Sequence, residues 1–259
     1  MRDAARVFIT GASSGIGAAL AAHYAAQGAT LGLLARRGEA LDALIATLPH
    51  PERHRAYPAD VLDHAALRGA AEQFIAHAGG VDVVIANAGI SHGTLTEHAE
   101  DLPVFESILA TNVTATVATF SPFIATMRNQ RTPARLVGIA SVAGIRGLPG
   151  GAGYSASKAA VISYCESLRV EMRPYGIKVV TIAPGYIDTP MTQRNAYAMP
   201  FLMRPERFAE AAARAIARGD SYRVIPWQMG IVARVLRLLP NALYDWAFAK
   251  APHKARKTS

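Results

Sequence analysis

Three shortages bound what this chain can be. It has one cysteine, Cys165, in 259 residues, which excludes an internal disulfide and fits a reducing compartment. Its 8 histidines are scattered with no metal-ligand spacing, so no metal site is expected. Repeats, low-complexity tracts and long linkers are missing, and Met1-Arg-Asp-Ala-Ala-Arg6 leads straight into an apolar run, so no secretory signal is expected. The net charge of +8 raises nucleic acid as an acidic partner, but no binding motif or aromatic platform accompanies the charge, and none is expected.

What is present is an alternation. Apolar strand candidates lie near residues 6–10, 30–35, 53–57, 81–86, 134–140, 177–183 and 222–226, with helix candidates between them. The strands are continuous apolar runs, as both-face burial requires. That rhythm predicts an α/β fold, a doubly wound and mainly parallel seven-stranded sheet with helices on both faces. With 51% hydrophobic residues, the chain can bury one full core, so residues 1–259 are read as a single domain.

The first strand, Arg6-Val-Phe-Ile-Thr10, runs into Gly11-Ala-Ser-Ser-Gly15-Ile-Gly17 and then an alanine-rich helix from about Ala18 to Gln27. A glycine turn between strand and helix lets backbone approach a pyrophosphate, whose charge suits the helix N-terminus. The alternative is a glycine-rich turn with no ligand. The next strand, Thr30–Ala35, ends in Arg36-Arg37 with no carboxylate at its tip. An acidic residue there would suit a ribose 2′-hydroxyl and an arginine a 2′-phosphate, so NADP(H) is favoured over NAD(H), with Arg36 the first-choice contact and Arg37 second. A pair of solvated surface arginines is the plainer reading.

Further along, Tyr154 and Lys158 stand four apart, one face of a helix, thirteen residues after Ser141 at the end of the apolar run Leu136–Ala140. An ammonium beside a phenol favours the phenolate, and a serine hydroxyl nearby can hydrogen-bond a substrate oxygen. This is equipment for moving a proton on or off a carbonyl oxygen.

Taken in order, Thr10-Gly-Ala-Ser-Ser-Gly-Ile-Gly17, Asp60-Val61, Asn87-Ala-Gly89, Asn112, Ser141, Tyr154-Ser-Ala-Ser-Lys158 and Pro184-Gly-Tyr-Ile-Asp-Thr189 resemble the short-chain dehydrogenase/reductase family, in its single-domain branch, over residues 6 to about 190. The resemblance implies a Rossmann-type fold and an NADP(H)-dependent carbonyl reductase or alcohol dehydrogenase. It implies Tyr154 as general acid or base and Lys158 as the group that lowers its pKa and binds the nicotinamide ribose. Ser141 would orient the substrate oxygen, and Asn112 would hold a water linking Lys158 to solvent. Gly11, Ser13, Ser14, Gly15, Ile16 and Gly17 would cradle the cofactor phosphates, and Asp60 and Val61 would flank the adenine. Asn87, Ala88 and Gly89 would line the cofactor near its ribose; Pro184, Gly185, Ile187 and Thr189 fall at the nicotinamide end. It also implies a cytoplasmic homodimer or homotetramer, with contacts through the helices beginning near Val104 and Ser155. Gly150-Gly-Ala-Gly153 suggests unusual flexibility just before Tyr154. Cys165 is expected as a buried thiol, with a nearby subunit contact as one reading.

Residues 186–208 are expected to form a substrate lid. Met191, Tyr197, Met199, Phe201, Leu202 and Met203 suit an adaptable apolar pocket for a lipophilic ketone, aldehyde or secondary alcohol. The extension 224–257 carries apolar helical runs around Pro240, with Trp227, Trp246, Arg234 and Arg237 among them. It is too charged and interrupted to span a bilayer. Two readings stay open: the helices pack over the substrate cleft or a subunit interface, or they lie on a membrane surface, with His253-Lys-Ala-Arg-Lys257 adding attraction to anionic lipid. The rival to catalysis is a non-catalytic NADP-sensing or membrane-associated scaffold protein, which need not retain a proton relay.

Overall fold

The computed structural model describes residues 5–130, 132–195, 197–249 and Arg256. Seven strands, β1 (Arg6–Thr10), β2 (Thr30–Ala35), β3 (Arg55–Pro58), β4 (Val83–Ala86), β5 (Arg135–Ile139), β6 (Lys178–Pro184) and β7 (Tyr222–Ile225), form one sheet in the order β3-β2-β1-β4-β5-β6-β7. Every adjacent pair is parallel. The expected strands all form, β3 and β4 starting two residues later than the apolar runs suggest.

Side chains alternate across each strand, so the sheet feeds two cores. Val7 and Ile9 of β1 face one layer, with α1 (Gly15–Ala26), α2 (Gly38–Thr47) and α7 (Pro205–Arg218); Phe8 faces the other, with α3 (His64–Ala78), α5 (Ala115–Asn129) and α6 (Ala152–Met172). In that second core Phe8 meets Phe74 and Phe123 at centroid distances of 5.6 and 4.9 Å. Gly32 makes room for them, because a Cβ there would come within 2.6 Å of Phe74 and 2.7 Å of Phe8. The helix α4 (Leu102–Leu109) passes through a π-helical turn at Ala110–Thr114 into α5. Although residues 99–129 make a helical run long and apolar enough to cross a membrane, Phe120 and Phe123 of this run are buried against the sheet.

The lid is shorter than the sequence suggests. It is irregular only to Arg204, since α7 begins at Pro205, whose fixed φ suits the first turn of a helix. Met203 pairs with Ile187 across the base of this loop. Cys165 lies in the second core, packed over Gly138 of β5, and burial pushes its thiol up to about 11. It is therefore an inert core residue, the buried thiol expected from the sequence.

His54 is buried between the sheet and the turn before β3. Its Nδ1 accepts the Leu31 amide at 3.3 Å, and its Nε2 lies 2.9 Å from the Pro49 carbonyl, so the neutral Nε2–H tautomer satisfies both contacts. Burial lowers its pKa from the ordinary 6.5, outweighing the Pro49 contact. A histidine held neutral binds its proton more readily in the unfolded chain, so its contribution is complete above the unfolded value and is lost as pH falls toward the folded one. The melting temperature of His54→Gln is accordingly expected to fall less than that of the parent between about pH 7 and about pH 5; parallel curves remove His54 from the acid response.

Candidate active site

The sheet order reverses between β1 and β4, and in open α/β sheets ligands bind at this switch point, beyond the carboxyl ends of the strands. Here the two strand tips are tied together by side chains. Thr10 Oγ1 accepts the amides of Asn87 and Ala88 at 3.2 and 3.3 Å, while Asn87 Nδ2 donates to the carbonyls of Thr10 and Gly11 at 3.0 and 3.1 Å. Above the junction lies a cleft of about 740 Å³.

The glycine turn forms one wall. Gly11 and Gly15 have φ of 66° and 55°, which glycine adopts at little cost. A Cβ on Gly17 would sit 2.3 Å from the Gly11 carbonyl and 2.7 Å from Asn87 Nδ2, so α1 starts where only glycine lets it approach. Ser14 precedes α1 in extended conformation, its side chain makes no capping bond, and the first turn carries no acidic residue. The free helix amides and positive dipole end thus face the cleft, which suits a phosphate group. These features fit a dinucleotide.

At the far end, Arg36 and Arg37 follow β2 and both line the cleft. Arg37 Nη2 donates to Ser13 Oγ of the glycine turn at 3.2 Å; Arg36 Nη1 lies 3.9 Å from Asp60 and is largely exposed. Asp60 itself accepts the Leu62 amide, fixing the turn that carries Val61.

The opposite end is built from β5 and α6. Ser141 follows β5, is nearly buried, and caps a short turn at Val142–Gly144, its Oγ accepting the Ala143 amide at 3.2 Å. That turn lies directly on α6: a Cβ at Gly144 would come within 2.6 Å of the Lys158 backbone. The close approach sets Ser141 against Tyr154 and Lys158. Tyr154 is half-buried; burial raises its pKa from 10.0, and a side-chain hydrogen bond with Ser141 opposes the rise. Lys158 is buried and brought down to about 8 by desolvation, its Nζ donating to the Ile139 carbonyl at 2.8 Å and standing 5.7 Å from the Tyr154 ring centre. Contrary to the lowering expected from Lys158, burial dominates here, so the Tyr154 phenol keeps its proton at neutral pH, the state of a general acid.

Asn112 is buried in the π-helical turn. Its Oδ1 accepts the Ile90 amide at 2.8 Å, and its Nδ2 donates to the Ile90 carbonyl and Ser157 Oγ at 3.0 and 2.9 Å. The side chain braces the segment after Gly89 against α6. Every catalytic or cofactor residue singled out from the sequence lines the cleft except Gly17 and Asn112, which stand immediately behind it. Of the six lid residues named for an apolar pocket, Met191 alone is in the lining. The structure adds His92 and Thr111 to the lining, and Thr192, whose hydroxyl accepts the Thr189 amide and donates to the Ile187 carbonyl. His92, Thr111 and Thr192 carried no sequence signal, because their place depends on loop paths.

Gly150–Gly153 is packed, contrary to the flexibility expected from its glycines. Thr94 pairs with Gly151, its Oγ1 accepts the Gly153 amide at 3.2 Å, and a Cβ on Gly153 would meet Phe105 at 2.9 Å. These glycines serve close approach. The tail packs near the same region through α8 (Trp227–Leu238) and α9 (Asn241–Phe248). Gly185 lies under Met229 of α8, where a Cβ would be 2.7 Å from the methionine side chain. Arg146 donates to the carbonyls of Arg237 and Leu239 and to Asn241 Oδ1, and its guanidinium lies 4.2 Å from the Tyr244 ring centre. Arg256 pairs with Asp101 at 2.8 Å and Glu100 at 2.9 Å, so it is spent on the protein rather than left for lipid. His253, Lys254 and Lys257 lie outside the described residues.

Residues 5–199 match a family model described as short chain dehydrogenase. The chain is 39% identical over 250 residues to an uncharacterised oxidoreductase of Myxococcus xanthus, covering 92% of this chain and 94% of the relative. It is 34% identical over 252 residues to an 11-beta-hydroxysteroid dehydrogenase-like protein of Arabidopsis thaliana, covering 93% and 81%. Among solved structures, a 3-ketoacyl-(acyl-carrier-protein) reductase from Brucella melitensis complexed with NADH aligns with TM-score 0.78 and 26% identity, over 85% of this chain and 96% of that one.

Proposed function

We propose, from the premise that this chain belongs to the short-chain dehydrogenase family, that it is an NADP(H)-dependent carbonyl reductase or alcohol dehydrogenase acting on a lipophilic substrate. The observation that carries the reading is one cleft joining the glycine turn and two arginines at one end to Ser141, Tyr154 and Lys158 at the other. The nicotinamide, when bound, supplies or accepts the hydride. Ser141 Oγ and the Tyr154 hydroxyl hold the substrate oxygen, and Tyr154 gives that oxygen its proton on reduction or takes it on oxidation. Lys158, anchored on the Ile139 carbonyl and 5.7 Å from the Tyr154 ring centre, keeps positive charge near the phenol and would hold the nicotinamide ribose. The test is consumption of NADPH and NADH with a carbonyl panel running from short aldehydes to steroid-sized ketones, with Tyr154→Phe as control.

Preference for the phosphorylated cofactor rests on Arg36 and Arg37, since no carboxylate occupies the tip of β2 to meet a 2′-hydroxyl. Arg36→Asp removes a fork donor and places a negative charge where the 2′-phosphate sits. The NADPH-to-NADH ratio of kcat/KM is expected to drop by roughly 10- to 100-fold. An unchanged ratio removes Arg36 from cofactor choice and leaves Arg37, bonded to Ser13, as the anchor to test.

The lipophilic part of the proposal draws on Met191 in the lining and on the lid above it, where Tyr186 and Tyr197 meet edge to face at 6.3 Å. One relative's hydroxysteroid dehydrogenase-like name points the same way. A single cysteine suits a reducing compartment, and a homodimer or homotetramer there is part of the same proposal.

A further inference from the structure

The outer faces of α8 and α9 are apolar and bare. Trp227, Ile231, Val235 and Leu238 follow one another at i, i+4, i+8 and i+11, so they form one stripe along α8. The stripe lies opposite Met229, Gly230 and Ala233, which seat the helix on the protein. Leu243 and Trp246 take the same position on α9, opposite the buried Tyr244. Trp227 is 66% exposed, Leu238 83% and Trp246 81%. Singly exposed apolar residues are ordinary; six on two consecutive helices, including both tryptophans of the chain, are a patch.

The charges beside the patch decide what covers it. Arg234 and Arg237 lie along one edge of the α8 stripe, between it and the seated face; both are exposed, and neither makes an ion pair among the described residues. A second copy set on the patch would bring two arginines against a surface whose two helices carry a single carboxylate, Asp245. An anionic bilayer surface satisfies both features at once: the stripe enters the acyl boundary, the tryptophans sit at headgroup level, and the arginines reach back to phosphate. We infer that α8 and α9 dock the enzyme peripherally on anionic lipid.

The tryptophans supply the test, because the only two in the chain are both in the patch. On adding phosphatidylglycerol vesicles to the full-length protein, its emission is expected to shift to the blue and the protein to pellet with the vesicles, more weakly in high salt. Phosphatidylcholine vesicles are expected to bind it at least severalfold less. Arg234→Glu with Arg237→Glu should lower partition into anionic vesicles by roughly tenfold or more, and Ile231→Ser with Leu238→Ser should abolish the blue shift. All four positions are exposed, so circular dichroism and NADPH binding should stay as in the parent. No blue shift and no pelleting overturns the inference. So does a blue shift that grows with protein concentration without lipid, accompanied by a doubled mass that Leu238→Ser halves, because a second copy then covers the patch.

Discussion

Tyr154→Phe is expected to lose carbonyl turnover by about 10²- to 10⁴-fold, the span of general acid catalysis, while NADPH affinity changes little. Phenylalanine keeps the ring volume, so the packing of α6 against the Val142–Gly144 turn survives, and Lys158 keeps its bond to the Ile139 carbonyl. What disappears is one hydroxyl, and with it the hydrogen bond with Ser141 and the proton that the proposed mechanism assigns to the substrate oxygen. Stopped-flow NADPH oxidation alongside a binding titration separates the two effects. A variant that turns over at nearly the parental rate removes Tyr154 from the chemistry. A variant that loses both turnover and binding indicates a structural role for the hydroxyl.

The second large effect is expected at Gly17. In Gly17→Ala the new methyl group meets the Gly11 carbonyl at 2.3 Å, Asn87 Nδ2 at 2.7 Å and Ala12 Cα at 2.9 Å. Two of these are backbone, and the third is the amide that ties the β4 tip to the β1 tip. None can retreat without opening the junction. Overpacking of this kind costs about 1–3 kcal/mol or more. Both the melting temperature and the NADPH affinity are expected to fall, the affinity by about tenfold for each 1.4 kcal/mol that reaches the binding site. Gly69→Ala in α3 is the control: nothing lies within 4 Å of a Cβ there, so a helical alanine should be neutral or stabilising by about 1 kcal/mol. Equal behaviour of the two variants shows that α1 shifts freely and that its close approach is not required.

The strands were legible because a doubly covered parallel sheet writes each one as an unbroken apolar run, as in Val83–Ala86 or Lys178–Pro184. The glycine turn and the Tyr154–Lys158 pair were legible because their chemistry is local, within one turn or one helix face. Gly144 carried no such mark. It matters because it touches the Lys158 backbone fourteen residues on, a contact only the folded path of the chain creates. Asn112 showed its residue type but not its bonds to Ile90 and Ser157, which depend on the π-helical turn. Gly150–Gly153 was misread because composition records freedom in the chain, while Phe105 and Thr94, distant in sequence, remove it. The same holds for Arg256, a lipid-binding cation by composition and an ion-pair partner of Asp101 by position.

Arg146 has a mechanical consequence. Its guanidinium joins the loop between Ser141 and Tyr154 to the end of α8 and the start of α9, through three hydrogen bonds and the face of Tyr244, whose own hydroxyl returns to the Gly147 carbonyl. It works as a strut, holding the loop and the two helices at a fixed separation. Met229 over Gly185 provides a second bearing point, at the residue after β6, where the chain lines the cleft. The two tail helices are therefore tied at two points to the segments that carry Ser141 and Pro184, rather than hung on a free linker.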